Sequence, residues 1–485
     1  MKSYIHKPLT IKKSELFSKN KIFAPSRHKQ LIIKNSSVET LSSLVELGTT
    51  SLNIEKNKGY YQYIEIGDIN TTTGGISYKT VKSIDISSAS VSKIQKDDIL
   101  ISTVRTYLGG IGIVTSTDKN LVATKALIVL RKMKKDISKY YLFGILRSRF
   151  FIDQVSMILN ASMYPRMEKE YFDRLIIPFP TQKQNDKPKD VEKLVSLITQ
   201  NIIDKEEQIK FKNQLIDSEI EKELKANQKS KALKYSYPKL SDLKKENRLD
   251  TTIYTPKYKV FENLILNYTD GYFFLDEKLV SPGATPKDYF FSDIKKSEKF
   301  KDWITPKNIE QRQLSSRTFI YTKTSTKIKK YSLVLNGIRY VGNGVFIENE
   351  KEFFTNQNML IINQFKEQIK QLFLFCFLTS NIGKSMQISR RNFGIVPILY
   401  TENLCKIPIP NFEEKKQKEI AKSYYNEVDA LTNISLDNYL AEHKKRNQKL
   451  GIFQLNMEIF ELKEKLENLV DKIVMDEKID IQEFF

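Results

Sequence analysis

Between Thr181 and Lys231 an apolar residue recurs at every seventh position of a polar background: Val195, Ile202, Ile209 and Ile216. Val191 and Ile198 fill the alternate positions at the start of the stretch, which holds no glycine and a single proline, Pro188. A strict heptad is the pattern of a helix laid along another helix. About forty helical residues would make a rod of roughly 60 Å. A second seam follows Gly451, where Leu455, Ile459, Leu462, Leu466, Leu469 and Ile473 alternate at spacings of four and three. Either stripe alone also suits an ordinary core-facing helix. Two in one chain predict an intramolecular antiparallel pair, with the long rod as a spacer.

The segments before each rod repeat one another. Ile22-Phe23-Ala24-Pro25 returns as Ile253-Tyr254-Thr255-Pro256, 231 positions on. Arg105-Thr106-Tyr107-Leu108-Gly109-Gly110 is echoed by Arg339-Tyr340-Val341-Gly342-Asn343-Gly344. The apolar helical stretch from Tyr140 to Ser148 matches Leu372 to Ser380, and Ile177-Pro178-Phe179-Pro180 returns as Ile407-Pro408-Ile409-Pro410. One match would be noise; several in one order at nearly constant offset indicate a duplicated domain. The period is far too long for a solenoid. Inside a copy the pattern is mixed. Ile99–Ser102, Ile111–Val114 and Leu127–Leu130 read as strands, and helical spacing takes over from Ile137 to about Ile158. The second copy follows the same plan, with strands at Ser332–Leu335 and Gly344–Ile347 and a helix over about 367–379.

Charge and cysteine content narrow the class. The 485 residues carry a formal net charge of +21, which points to a polyanionic partner, nucleic acid before membrane. Only 14 of the cationic residues are arginines, so each clustered arginine is more informative than a lysine. Two cysteines and three histidines cannot assemble a disulfide framework or a zinc site, and they suit a reducing compartment. The N-terminal stretch has no apolar signal core, and the longest apolar run, Leu372–Leu378, is too short to span a bilayer. A cytoplasmic protein without a membrane role is expected.

On these residues the chain resembles the DNA-specificity (S) subunit of type I restriction–modification enzymes. The features that carry the likeness are Tyr63-Ile64-Glu65-Ile66-Gly67-Asp68-Ile69, Lys96-Asp97-Asp98-Ile99-Leu100-Ile101-Ser102-Thr103, the two Ile-Pro-x-Pro endings, and Glu413 to Ala421 opening the second rod. The second copy departs from the pattern, with Trp303-Ile304-Thr305-Pro306-Lys307-Asn308-Ile309 where the first has its Gly67-Asp68 signature. The resemblance implies an α/β fold of the mixed α+β kind. Two duplicated target-recognition domains, residues 1–180 and 236–411, would be separated by two long antiparallel coiled-coil-like helices at 181–235 and 412–480. Each domain would read one half of a bipartite, gapped site in double-stranded DNA. The helices would dock methyltransferase (M) subunits, and a motor-nuclease (R) subunit can join. The chain itself would hold no cofactor; S-adenosylmethionine belongs to the methyltransferase partner.

The residues agree with a non-catalytic chain. Gly383-Lys384-Ser385 lacks the glycine that a phosphate loop needs five positions earlier, where Leu378 stands. Gly110-Ile111-Gly112 lacks the third glycine of a dinucleotide fingerprint. His6, His28 and His443 sit near no nucleophile motif. For DNA, arginine pairs with guanine and asparagine or glutamine with adenine across two hydrogen bonds. The candidates are Thr103, Arg105 and Tyr107 with Lys125, then Asn160, Ser162 and Arg166, in the first copy. In the second they are Arg339 and Tyr340, then Gln387, Arg390, Arg391 and Asn392. Lys79, Lys323 and Lys327 are further phosphate candidates. Three other readings stand beside this one: a recognition subunit of a related phage-defence or methyltransferase system, a coiled-coil adaptor with no DNA role, and a self-contained nuclease or methyltransferase.

Overall fold

The computed structural model describes residues 3–18, 28–159, 166–230, 237–246, 248–249, 251–292, 295–322, 328–348, 353–363, 368–392 and 394–485. The first copy of the Ile22–Pro25 repeat lies outside them, as do Asn160, Ser162, Lys323 and Lys327. The chain divides into two compact units. The first comprises Met1–Glu207, Ala430–Asn447 and Glu458–Phe485, and the second Gln208–Asp429 and Gln448–Met457.

Among the described residues the first unit holds two larger sheets, of four and five strands, besides two two-stranded ones. One runs in the order Ile111–Ile113, Ile99–Ser102, Leu127–Met133, Val45–Leu47. The other runs Ser51–Asn53, Ser90–Lys93, Leu121–Ala123, Tyr60–Ile64, Lys79–Lys82. Its one parallel pairing joins Leu121–Ala123 to Tyr60–Ile64. Alternating apolar residues put Ile64, Leu100, Leu121, Leu127 and Val129 into a shared core. The helices Lys139–Arg147 and Arg149–Leu159 follow, the first with six consecutive buried residues, Tyr141–Leu146.

The second unit fuses the same parts into one sheet. Its order is Tyr289–Ser292, Thr318–Thr322, Phe300–Ile304, Phe353–Ile362, Leu333–Asn336, Gly344–Phe346, with Val280–Ala284 also on Phe353–Ile362. Again one pairing is parallel, between Phe300–Ile304 and the start of Phe353–Ile362. The helix Gln368–Leu378 and the helix Asn381–Ser389 take the places of the first unit's helix pair.

One helix, Pro188–Ala226, contributes its first part to one unit and the rest to the other. It is shorter at both ends than the heptad stretch. Proline, which lacks an N–H and has φ preset for a helix, stands at its first residue. After Ala226 the backbone turns to pair with the second unit, where Lys229 N donates to Asn267 O.

In the first unit this helix runs antiparallel to Ile452–Met475. Gln184, just before it, donates to Lys472 O at 3.1 Å and Ile473 O at 2.8 Å, covering orphan carbonyls at the other helix's C-terminal end. Further along, Lys205 meets Glu458. Of the seam residues, Val195, Ile202, Ile209, Ile216, Leu455, Ile459, Leu462, Leu469 and Ile473 are buried, and Leu466 is half-buried. The seam is not only helix against helix. A Cβ on Gly144 would lie 2.6 Å from Thr199 Oγ1 and 3.3 Å from Val195, so Lys139–Arg147 also packs on it closely. The expected second rod over 412–480 is broken into Glu414–Tyr424, Tyr439–Lys449 and Ile452–Met475; from the middle piece Asn447 donates to Asn201 at 3.0 Å and to Asp204 at 2.7 Å, and Lys205 donates to Asn447 at 2.6 Å. Such buried, mutually satisfied groups allow one register and penalise others.

Candidate nucleic-acid interface

In the first unit the strand Ile99–Ser102 ends in a loop held by its own side chains. Ser102 Oγ donates to Val104 O at 2.8 Å, Thr106 Oγ1 to Ser102 O, and Thr103 Oγ1 to Ala126 O at 2.9 Å. These bonds force Arg105 to φ 50°, the left-handed region, with its side chain exposed. Gly109, at φ 87°, closes the loop. In the second unit the strand Leu333–Asn336 ends the same way. Arg339 lies at φ 58°, exposed, and Gly342 at φ 86°. Left-handed backbone is uncommon and costly for a side chain as large as arginine. It occurs at the same place in both units, as does a second left-handed pair, Asp97 and Tyr331, ahead of the same strands.

The second strand of each loop also corresponds. Val104 bridges Arg166 in the first unit and Ile338 bridges Ile398 in the second, both antiparallel. Thr103, Arg105, Tyr107 and Arg166 therefore come together, with Lys125 on the adjoining turn, where it meets Ser51 Oγ. Arg105 and Arg166 are exposed, and Thr103 and Tyr107 half-buried. In the second unit Arg339 and the exposed Tyr340 lie beside the segment 392–398. Asn392 braces that segment, since its Oδ1 accepts from Ile398 N at 2.7 Å. Arg391 is half-buried, and its carbonyl accepts from Arg248 at 2.7 Å.

Two expected contacts face inward instead. Gln387 is fully buried and donates to Leu378 O at 2.6 Å. Arg390 is buried and pairs with Glu262 at 2.6 Å. Both serve packing, because the C-terminal turn of Asn381–Ser389 points them into the unit rather than to the loop. Lys79 is exposed but its ammonium pairs with Asp68 at 2.6 Å, which raises its pKa. Sequence reasoning passed over Ile395 and Val396, which stand exposed at the tip of the 392–398 segment. Apolar groups there could touch a thymine methyl. Read as a sequence they look like core residues, so no signal marked them.

Each loop is supported from beneath by a cation. In the first unit Arg147 donates to Ile111 O at 2.7 Å, Gly109 O at 3.3 Å and Thr71 O at 3.0 Å, tying two loops together. Burial pulls its pKa down to about 10, so it stays charged at neutral pH. In the second unit Lys384 lies under Gly342, where a Cβ would come 2.3 Å from Lys384 Cγ. Burial, with Arg312 nearby, lowers Lys384 to about 8. Beside it Arg312 is buried and donates to Thr379 Oγ1 at 2.8 Å, Asn213 Oδ1 at 2.7 Å and Asp217 Oδ1 at 2.5 Å. That network fixes the hairpin of Ile309–Glu310 and Gln313–Leu314 to the second unit's part of the long helix.

Among the described residues no group of three His, Cys, Asp or Glu side chains is arranged to hold a metal ion, and no helix is long and apolar enough to cross a membrane. The arrangement offers cationic and amide side chains on stiff loops, groups suited to binding a polyanion. Residues 34–213, which take in the Arg105 loop and its Arg147 support, match the family model of the type I restriction modification DNA specificity domain. That stretch, 180 of the 485 residues, is thus similar to a DNA-specificity domain of the type I restriction–modification class. Among solved structures it is similar to the HsdS subunit from Thermoanaerobacter tengcongensis, at 16% identity over 90% of this chain and 96% of that one, with a TM-score of 0.30. It is also similar to the S subunit of the type I restriction-modification system of M. genitalium, at 15% identity, with the same shares covered and a TM-score of 0.37. A third similar chain comes from a type I R-M system studied for complex assembly, at 16% identity over 92% of this chain and 99% of that one, with a TM-score of 0.32. No curated protein matches the chain.

Proposed function

We propose that each unit reads one half of a bipartite site in duplex DNA, the first through Arg105 and Arg166 and the second through Arg339 and the 392–398 tip. The observation that carries this reading is the repeated left-handed arginine loop, which aims a bidentate donor outward at the same point of two differently built sheets. Strain of this kind persists where surrounding bonds over-determine it, and it clusters at functional sites. The chain itself performs no chemistry in this reading. Methyltransferase subunits dock on the outward faces of the helices, where Phe211 stands 58% exposed, and they bring S-adenosylmethionine. Motor-nuclease subunits join through that assembly.

The test is half-site selectivity. Arg339→Ala should relax discrimination at one or two base pairs of a single half-site by about 1–3 kcal/mol, and Arg105→Ala should do so in the other half. Sequencing methylated sites in cells that carry each variant with its methyltransferase reads this directly. Uniform weakening at all sites, with the sequence preference unchanged, would make both arginines phosphate contacts and remove them from base reading.

A further inference from the structure

The two sheets end differently at their outer edge. In the first unit Tyr60–Ile64 is followed by Lys79–Lys82, and the sheet stops there with a lysine at each end of its last strand. Charged residues are an ordinary way to blunt a sheet edge. In the second unit Phe300–Ile304 is followed by Thr318–Thr322 and then by Tyr289–Ser292, a further strand. The register sets Phe290 opposite Tyr321 and Tyr321 opposite Phe300. Three aromatic rings therefore stand in one row across three neighbouring strands, with centroids 6.4 Å and 5.7 Å apart. Phe290 is 71% exposed, and its two neighbours are half-buried. On the other face Trp303, Ile320 and Phe354 form a buried cluster, with the exposed Phe291 at its margin, 5.4 Å from Trp303.

We propose that the row Phe290–Tyr321–Phe300 is a stacking surface for the unpaired bases of single-stranded nucleic acid, separate from the loop at Arg339. Exposed aromatic rings offer flat faces that every base can stack on, and they are sequence-tolerant for that reason. The other half of such a site is positive charge along the backbone track. Lys295, Lys296 and Lys299, all exposed, occupy the connection between Tyr289–Ser292 and Phe300–Ile304, with Glu298 as a partner of Lys295. Lys287 precedes the edge strand. Rings in the row and lysines beside it suit bases and phosphates, the pairing of stacking faces with positive charge that single strands use. Two strands, Thr318–Thr322 and Phe300–Ile304, plus Phe353–Ile362 separate the edge from the strand that carries the Arg339 loop, so the two surfaces are distinct.

The experiment uses the full chain, a short fluorescein-labelled oligothymidylate and a duplex of the same length. Phe290→Ala should weaken oligothymidylate binding by about fivefold or more, the range expected for one lost stacking contact. Phe290→Leu should weaken it as much, Phe290→Tyr should bind like the parent chain, and duplex affinity should stay within about twofold throughout. Phe290 is mostly solvent-exposed, so these variants keep the fold, and circular dichroism checks that. Parent chain that fails to hold the oligothymidylate overturns the proposal. So does Phe290→Leu binding as tightly as the parent, which would mark a patch for an apolar protein partner. A loss shared equally by duplex and single strand also overturns it. Oligothymidylate binding without any duplex binding would support the stacking surface while removing the bipartite-site reading, so the two stand or fall separately.

Discussion

Set side by side, the two units keep one frame and fill it with different chemistry. Residues 121–133 of the first form two strands broken at Thr124–Ala126, each belonging to its own sheet. The corresponding run of the second is the single strand Phe353–Ile362, and the sheets merge through it. The turn after the strand Tyr60–Ile64 is closed by Asp68, whose Oδ2 accepts from Glu65 N at 2.9 Å. The turn after Phe300–Ile304, 240 positions on, is closed by Asn308, whose Oδ1 accepts from Thr305 N at 3.0 Å. The motif that breaks the sequence repeat thus preserves its hydrogen bond. Beneath the Arg105 and Arg339 loops, Arg147 stands in one unit, and Lys384 with Arg312 in the other. The loop conformation is held constant while its supports are exchanged, so backbone geometry at Arg105 and Arg339 is what the fold protects.

The largest expected effect breaks one support only. Arg312→Ala leaves Asp217 without its buried partner and removes the donors to Asn213 and Thr379. Removing one member of a buried ion pair costs about 3–5 kcal/mol. Hydrogen exchange under native conditions should therefore show faster opening of amides in the second unit, with protection in the first unchanged. An equal loss in both units would refute separate anchoring.

Much of the frame was legible in the sequence because periodic burial leaves a periodic trace. The heptad residues Val195 to Ile216 and Leu455 to Ile473 are buried where their spacing placed them, Leu466 only partly. The repeated Arg105 and Arg339 loops were legible because glycines mark the left-handed closing positions. The orientations of Gln387 and Arg390 were not, since Arg390 finds its partner in Glu262, 128 residues away. Nor was the row of Phe290, Tyr321 and Phe300, because strand register is set by tertiary pairing rather than local pattern. The departure at Trp303–Ile309 looked like a lost motif because one-letter identity hides that an amide oxygen and a carboxylate oxygen accept the same bond.

A pH experiment sharpens the comparison, since all three histidines fall in the first unit. His443 lies 4.3 Å, centroid to centroid, from Tyr439. Burial, then Lys205, lowers its pKa to about 4; Arg446 and Lys465 push the same way and Glu458 opposes. In the unfolded chain it titrates near 6.5. Between those values the unfolded state binds more protons, so stability falls as pH drops below about 6.5, and the loss is complete near 4. For a partly exposed ring the total is roughly 1–3 kcal/mol. Glu467 in the same unit acts in the opposite sense, because burial raises its carboxyl to about 7. The quantity to read is thus the difference between His443→Gln and the parent, by urea denaturation from pH 7 to 4. The variant should lack the acid-dependent loss in the first unit, and the second unit should respond alike in both proteins. A difference that does not change with pH would mean that His443 does not titrate across the folding transition.

The smallest effect tests whether the two turns are interchangeable. Asp68→Asn gives the first unit the side chain that the second already uses. The amide oxygen can still accept from Glu65 N, so the turn after Tyr60–Ile64 should keep its form. What is lost is the pair with Lys79, whose side chain is 57% exposed, and whose pKa should relax toward the ordinary lysine value. Exposed pairs of this kind contribute at most about 1 kcal/mol. The thermal midpoint of the first unit should therefore move by a few degrees or less, and duplex binding should persist. A loss above about 2 kcal/mol would show that the turn depends on the negative charge of Asp68 and not on its acceptor oxygen. In that event Asn308 would close its own turn by a different balance, with its Nδ2 donating to Ser316 Oγ at 3.0 Å carrying the difference.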